Sequence, residues 1–69
     1  MPEGPSSDEV VKVLLRQGFV LVHQRGSHAK FRQAGTTVRI VIVPMGRKHL
    51  KIGTFRSICR QAGLNPGDF

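Results

Sequence analysis

Histidine and basic side chains are the residues of this chain best suited to chemistry, and carboxylates are almost absent among them. All eleven lysines and arginines lie between Val10 and Gly67, together with the three histidines, and this stretch contains no Asp or Glu. The acidic residues are Glu3, Asp8, Glu9 and Asp68. Protein-bound Mg²⁺ needs carboxylate oxygens, and a Ser–His–Asp triad needs an acid to orient its imidazole. The sequence therefore argues against a metal-dependent nuclease and against a serine-hydrolase triad.

The excess of basic side chains indicates the kind of partner that the chain binds. The net charge is +7 and the isoelectric point is near 11.3, values that fit nucleic acid, an anionic membrane surface or an acidic protein. A membrane-surface helix would separate an apolar face from a basic one, whereas these basic residues are spread over predicted strands, loops and helices. The apolar stretches are also far shorter than a bilayer span. We therefore expect a cytoplasmic protein that does not bind membranes.

RNA is the polyanion that best fits these residues, because it supplies its own nucleophile. A ribose 2′-hydroxyl can attack the adjacent phosphodiester once a base removes its proton. Imidazole suits that role near neutral pH, and His28 lies in a basic segment. Its basic neighbours, which could stabilise charge in the transition state, are Arg25, Lys30 and Arg32. His23 and His49 could each donate the leaving-group proton or be ordinary surface residues, and Arg47-Lys48 could clamp a phosphate or be solvated.

Hydrophobic periodicity and turn residues predict the element order α-β-β-β-α. A capping box of Ser6 and Glu9 starts the first helix. The predicted elements are a helix at about 7–17, strands at 19–25, 28–33 and 37–43, and a helix at about 52–62. Gly26-Ser27 forms the first turn, and a basic loop at 45–51 leads into the second helix. We predict a two-layer α+β fold in which both helices cover one face of a three-stranded antiparallel sheet.

The alternation of residues along the second strand predicts which side chains face the helices. Ala29 and Phe31 should point to the core, since successive side chains of a strand lie on opposite faces. The side chains expected to face solvent are His28, Lys30 and Arg32. The uncovered face of the sheet is accordingly expected to be polar. The buried stripe of the second helix is predicted to be Ile52, Phe55, Ile58, Cys59 and Ala62.

The length of the chain fits a single small domain. With 69 residues, only about 60% of the unfolded surface is buried on folding, so one compact core is expected. We place a flexible leader at residues 1–5, the domain at 6–64 and a C-terminal tail at 65–69. Cys59 alone cannot form an internal disulfide, and one cysteine with three scattered histidines does not fit structural-zinc spacing. No metal or cofactor is expected.

Three segments form a pattern that covers nearly the whole chain. They are Arg25-Gly26-Ser27-His28 after a strand that starts at Gly18-Phe19, the pair Val43-Pro44, and Leu50-Lys51-Ile52-Gly53-Thr54-Phe55-Arg56-Ser57-Ile58. This pattern resembles the HicA family of bacterial toxins. The resemblance implies a small mRNA interferase with a double-stranded-RNA-binding-domain-like fold, held inactive by a cognate HicB antitoxin. It also implies that His28 is the catalytic residue.

The residues and the resemblance together predict a metal-independent endoribonuclease toxin with His28 as general base. The residues expected to bind the mRNA are Arg25, Gly26, Ser27, Lys30, Arg32 and Lys51. Gly26 and Ser27 shape the turn. Lys51, where the second helix begins, could hold a phosphate with the amides of Gly53 and Thr54, but ordinary capping of the helix would use the same groups. Two alternatives stay open: a non-catalytic RNA-binding module, and a basic protein whose main role is to dock an acidic one. A HicB-like antitoxin should be acidic where it covers residues 28–32.

Overall fold

The chain folds in the predicted order of helix, three strands and helix. The computed structural model describes residues 4–69. The elements are α1 (Ser7–Arg16), β1 (Val20–Arg25), β2 (His28–Gln33), β3 (Arg39–Pro44), α2 (Ile52–Ala62) and a short 3₁₀ helix (Pro66–Asp68). The α+β class is confirmed. The ends of the elements differ slightly from prediction: α1 stops at Arg16, β1 starts at Val20 instead of 19, and β3 runs over Arg39–Pro44 instead of 37–43.

The capping box predicted before α1 is present. Ser6 Oγ accepts a hydrogen bond from the Glu9 backbone N at 3.1 Å, and Glu9 Oε1 accepts one from the Ser6 backbone N at 3.2 Å. These bonds satisfy backbone donors that the first helical turn leaves without intrahelical partners. Two hydrogen bonds with Ser6 lower the pKa of the Glu9 carboxyl. The bond from the Ser6 backbone has the larger effect, and the bond with the Ser6 side chain has the smaller one. The start of α1 is therefore fixed by local sequence.

The three strands form an antiparallel sheet in the order β1-β2-β3. The two helices pack on one face of it, and both contact β3. The buried side chains of the sheet are Ala29 and Phe31 of β2 and Val41 and Val43 of β3. All six residues of β1 are exposed. The helices therefore cover the β2–β3 side of the sheet and leave β1 as an open edge.

The core lies between the helices and this covered face. Its buried members are Val10, Leu14, Phe19, Ala29, Phe31, Val41, Val43, Leu50, Phe55, Ile58, Cys59 and Ala62. The predicted stripe of α2 is wrong at Ile52, which is 37% exposed because it is the first residue of the helix. Leu15 of α1 is also exposed, because a residue five positions after Val10 lies on a different face of the helix. Burial raises the pKa of the Cys59 thiol, as expected for a packed, unreactive side chain.

The segments before α1 and after α2 both contact the domain. The predicted flexible leader spans residues 1–5, of which 1–3 lie outside the described residues. The Gly4 backbone N donates to the Leu50 O at 2.8 Å, and the Leu50 N donates to the Pro5 O at 2.9 Å. At the other end, the rings of Phe69 and Phe55 meet edge to face with centroids 5.2 Å apart. Gly4, Pro5 and Phe69 are thus held against the residues that flank and start α2.

Candidate nucleic-acid interface

The face of the sheet without helices carries the predicted site residues of β2. His28, Lys30 and Arg32 are exposed, and they alternate with the buried Ala29 and Phe31. This confirms the two-residue period predicted from the sequence. The imidazole of His28 is therefore accessible to a ligand that approaches the sheet from the side opposite the helices.

Cross-strand pairing extends this surface onto both neighbouring strands. Cα partners in adjacent antiparallel strands place their side chains on the same face. The three rows are Arg25–His28–Pro44, His23–Lys30–Ile42 and Val20–Arg32–Ile40. We call these nine residues the open face. It is not uniformly polar as predicted, because the register brings the exposed aliphatic side chains Val20, Ile40 and Ile42 beside the cations.

A β-bulge in β1 decides which side chains of that strand reach the open face. Leu21 pairs with Phe31, but the next regular pair is His23 with Lys30, so Val22 is the extra residue. Without the bulge, Val22 would lie opposite Lys30, and Gln24 would lie opposite His28. Bulges commonly redirect side chains in this way. Because of the bulge, His23 takes the place of Val22 opposite Lys30, and Arg25 takes the place of Gln24 opposite His28.

The turn between β1 and β2 holds His28 next to Arg25. Gly26 has a φ of 58° and Ser27 has a negative φ, the pattern of a type II′ hairpin turn. A Cβ added to Gly26 would meet nothing within 4 Å, so its backbone is open to an approaching ligand. The Ser27 O accepts a hydrogen bond from the Met45 N at 2.6 Å, which anchors the turn to the chain after β3. Ser27 Oγ lies 3.5 Å from His28 Nδ1, and which atom donates depends on the tautomer of the ring.

The loop after β3 forms a basic cavity at the same end of the sheet. The cavity has a volume of about 250 Å³ and is lined by Pro44, Arg47, His49, Leu50, Lys51 and Thr54. Pro44 is the Cα partner of His28, so the cavity adjoins the row that contains the imidazole. Lys51 lies at the N-cap of α2, where no side chain caps the helix. The structure thus places Lys51 beyond Pro44, near the open face but not on it.

A buried serine fixes this basic loop. Ser7 Oγ donates to the Pro44 O at 2.6 Å and accepts from the Arg47 N at 3.1 Å. The Ser7 backbone N also donates to the Arg47 O at 3.0 Å. Ser7 is almost fully buried, at 1% exposure. The backbone at Arg47 is therefore held in place before any ligand arrives.

The structure groups the predicted RNA-binding residues in two places. Arg25, Gly26, Ser27, Lys30 and Arg32 lie with His28 on the open face or in its turn, and Lys51 lines the cavity. The sequence left open whether Arg47 and His49 belong to the site, and the structure places both in the lining of the same cavity. The density of basic residues in 45–51 was the available signal. It did not reveal that the loop folds back onto the row of His28.

Residues 4–69 contain neither a candidate metal site nor a membrane-spanning helix. Within this range, no three His, Cys, Asp or Glu side chains come close enough together to form a metal site. Neither described α-helix has the length and apolar composition needed to cross a bilayer.

These features define a small basic α+β domain with one helix-covered face and one cationic face that exposes a histidine. A family model described as the HicA toxin of bacterial toxin–antitoxin systems matches residues 7–64. The chain therefore belongs to the HicA toxin family, and membership implies an antitoxin partner. No curated protein matches the chain significantly.

Proposed function

We propose that this protein is a metal-independent endoribonuclease toxin that cleaves mRNA in the cytoplasm. The observation that carries the proposal is the exposed imidazole of His28 on a face rich in cations. The carboxylates of the described residues are Asp8, Glu9 and Asp68, and none lies on the open face. The face therefore has groups to bind a phosphodiester and to accept a proton, but no carboxylates to bind Mg²⁺.

The first step is attack by the ribose on its own phosphate. One ring nitrogen of His28 accepts the proton of the 2′-hydroxyl, and the 2′-oxygen forms a bond to phosphorus. If His28 Nδ1–H donates to Ser27 Oγ, the lone pair of Nε2 is free for this role. Ser27 then orients the base, a task for which many enzymes use a carboxylate.

The cations around His28 stabilise the charge that develops on the phosphoryl oxygens. Arg25 is the direct cross-strand neighbour of His28, and Lys30 lies two residues further along β2 on the same face. Cations at such positions favour the transition state because they offset the negative charge that develops there. Arg32, four residues along β2 from His28, and Lys51, in the cavity next to Pro44, bind neighbouring phosphates of the strand. The products are a 2′,3′-cyclic phosphate and a 5′-hydroxyl end.

Cleavage assays in EDTA test this function. Wild type, His28→Ala and the control Lys12→Ala, on the exposed side of α1, are incubated with matched RNA and DNA. We expect wild type and Lys12→Ala to cut RNA but not DNA, and His28→Ala to be at least about 100-fold slower. Equal cleavage by His28→Ala would remove His28 from the mechanism. Salt-sensitive RNA binding without cleavage by wild type would favour a non-catalytic RNA-binding module instead.

We also propose that the antitoxin is a HicB-like protein that covers the open face with an acidic surface. Lys30 and Arg32 offer it charge, while Ile40 and Ile42 offer apolar area that an RNA backbone does not use. Lys30→Glu should weaken the antitoxin complex at least tenfold by calorimetry, and Lys12→Glu should not. An uncharged or basic antitoxin surface against residues 28–32 would contradict this proposal.

A further inference from the structure

The proposed reaction needs a second proton transfer that His28 cannot perform in the same step. As the bond from the 2′-oxygen to phosphorus forms, the bond from phosphorus to the 5′-oxygen breaks, and the departing alkoxide must gain a proton. His28 has just accepted one from the 2′-hydroxyl. The attacking and leaving oxygens lie on opposite sides of phosphorus in an in-line displacement. The proton donor must therefore stand apart from His28 but on the same surface.

The register of β1 and β2 places a second imidazole there. His23 is the Cα partner of Lys30, and Lys30 is two residues from His28, so His23 and His28 are diagonal neighbours on the open face. The backbone positions of diagonal neighbours in an antiparallel pair are separated by roughly 7–8 Å. Two histidine side chains that extend from positions so spaced can approach one phosphodiester from its two sides.

The bulge at Val22 is what brings His23 to this position. A regular continuation from the Leu21–Phe31 pair would put Val22 on the open face and turn His23 to the other one. The same bulge brings Arg25 opposite His28. One local irregularity thus delivers both an imidazole and a guanidinium to the surface that carries the proposed base. Neither placement follows from the two-residue alternation of a regular strand.

The other cations near His28 are less suited to donating this proton. Ammonium and guanidinium groups hold their protons too tightly to be efficient proton donors near neutral pH. Imidazolium releases its proton more readily. This excludes Arg25 and Lys30 as efficient donors. The third histidine, His49, lines the cavity beyond Pro44 and lies off the open face. His23 is the remaining imidazole beside His28.

We propose that His23 is the general acid that protonates the 5′-oxygen leaving group. The inference rests on the proposed ribonuclease function. In each turnover, the 2′-hydroxyl proton passes to His28, and the proton on His23 passes to the 5′-oxygen as its bond to phosphorus breaks. Solvent then returns His23 to its protonated form and removes the proton from His28. Atoms and charge balance without a metal ion or a co-reactant.

A substrate with a better leaving group tests this role directly. RNA in which sulfur replaces the bridging 5′-oxygen releases a thiolate, which needs no proton from an acid. Cleavage of this RNA and of ordinary RNA is compared for wild type, His23→Ala, His28→Ala and the control Gln24→Ala, the exposed neighbour of His23. We expect His23→Ala to lose at least about 100-fold on ordinary RNA and to match wild type on the sulfur substrate. His28→Ala should remain slow on both, and Gln24→Ala should match wild type on both.

Each alternative outcome separates this inference from the proposed function. Wild-type rates for His23→Ala on ordinary RNA, or equal losses on both substrates, would overturn the general-acid role while leaving a ribonuclease that depends on His28. Equal cleavage of RNA by His28→Ala and wild type would remove the proposed mechanism, and the role of His23 with it. Affinity for uncleavable 2′-O-methyl RNA should be unchanged in His23→Ala within about threefold. A loss of affinity as large as the loss of rate would mean that His23 binds RNA rather than donating a proton.

Discussion

The two faces of the sheet are built from the same strands and carry very different side chains. On β2, Ala29 and Phe31 are buried under the helices, while Lys30 and Arg32 between and beside them are exposed. The covered face brings together apolar side chains whose burial stabilises the fold. The open face brings together cations and histidines whose exposed side chains contribute little to stability. Substitutions on the two faces should therefore separate stability from the proposed RNA binding and cleavage.

The two edges of the sheet differ in a similar way. On the β3 side, the Ile42 backbone N donates to Gln61 Oε1 of α2 at 3.1 Å. On the β1 side, every residue is exposed, including Val20, Leu21 and Val22. An exposed apolar edge strand is a common point of association with another chain. The β3 edge is therefore partly covered by α2, whereas the β1 edge is accessible to another chain.

The largest predicted loss of stability follows a substitution on the covered face of β2, and the neighbouring residue on the open face is its control. Phe31→Ala removes a ring that is 2% exposed and should lower the free energy of unfolding by about 4 kcal/mol. Lys30→Ala, one residue away on the open face, should change it by no more than about 0.5 kcal/mol. Urea unfolding followed by far-UV circular dichroism measures both. Similar losses for the two variants would contradict the division between the faces.

The next largest loss of stability is predicted for Ser7, whose hydrogen bonds hold the basic loop. Ser7→Ala leaves the Pro44 O and the Arg47 N without their side-chain partner, and it should cost about 2 kcal/mol of unfolding free energy. The matched control is Ser57→Ala, whose hydroxyl accepts a single exposed hydrogen bond from Arg60. The control should lose less than about 1 kcal/mol in the same urea titration. If Ser7→Ala is as stable as the control, the loop is not held by Ser7.

A smaller effect is expected at the end of α2. Gly63 has a φ of 70°, and a Cβ there would collide with the Arg39 guanidinium of β3. Gly63→Ala should lower the unfolding free energy by about 1 kcal/mol, because the left-handed conformation is unfavourable for alanine. Gly67→Ala, where a Cβ meets nothing within 4 Å, is the control. Thermal melts should show a lower midpoint for Gly63→Ala alone.

The smallest effect concerns the charge of the open face. Arg25→Ala should reduce the salt dependence of binding to 2′-O-methyl RNA by about 0.7 in the slope of log K against log salt, the value for one phosphate contact on a single strand. Lys12→Ala, on α1, should leave the slope unchanged. Fluorescence anisotropy over a range of salt concentrations provides the measurement. Equal slopes for Arg25→Ala and wild type would place the phosphate path elsewhere.

The local parts of this architecture follow from the sequence, and the non-local parts do not. The capping box at Ser6 and the alternation of Ala29 and Phe31 depend on residues a few positions apart, and both were predicted correctly. The aliphatic content of the open face was missed because it depends on the register that pairs Lys30 with Ile42. Alternation of apolar and polar residues along one strand does not specify which side chains of the adjacent strand lie beside them, because that depends on the pairing register.

The candidate site divides in the same way. His28, Lys30 and Arg32 could be assigned to one face from their spacing alone. The positions of His23 and Arg25 on that face depend on the bulge at Val22, which has no local sequence signal here. The bonds of Ser7 to the loop join residues 37 and 40 positions apart. Such contacts are determined by the packed domain and cannot be inferred from neighbouring residues.

We propose above that the imidazole of His28 removes the proton of a ribose 2′-hydroxyl, so that the 2′-oxygen attacks the adjacent phosphorus. Analysis of the ends of the cleaved RNA tests it most directly, because the nucleophile determines the products. We expect 2′,3′-cyclic phosphate and 5′-hydroxyl ends from wild type, and no such ends above background from His28→Ala. Fragments with 3′-hydroxyl and 5′-phosphate ends would show that water, not the ribose, attacks phosphorus, and would contradict the account.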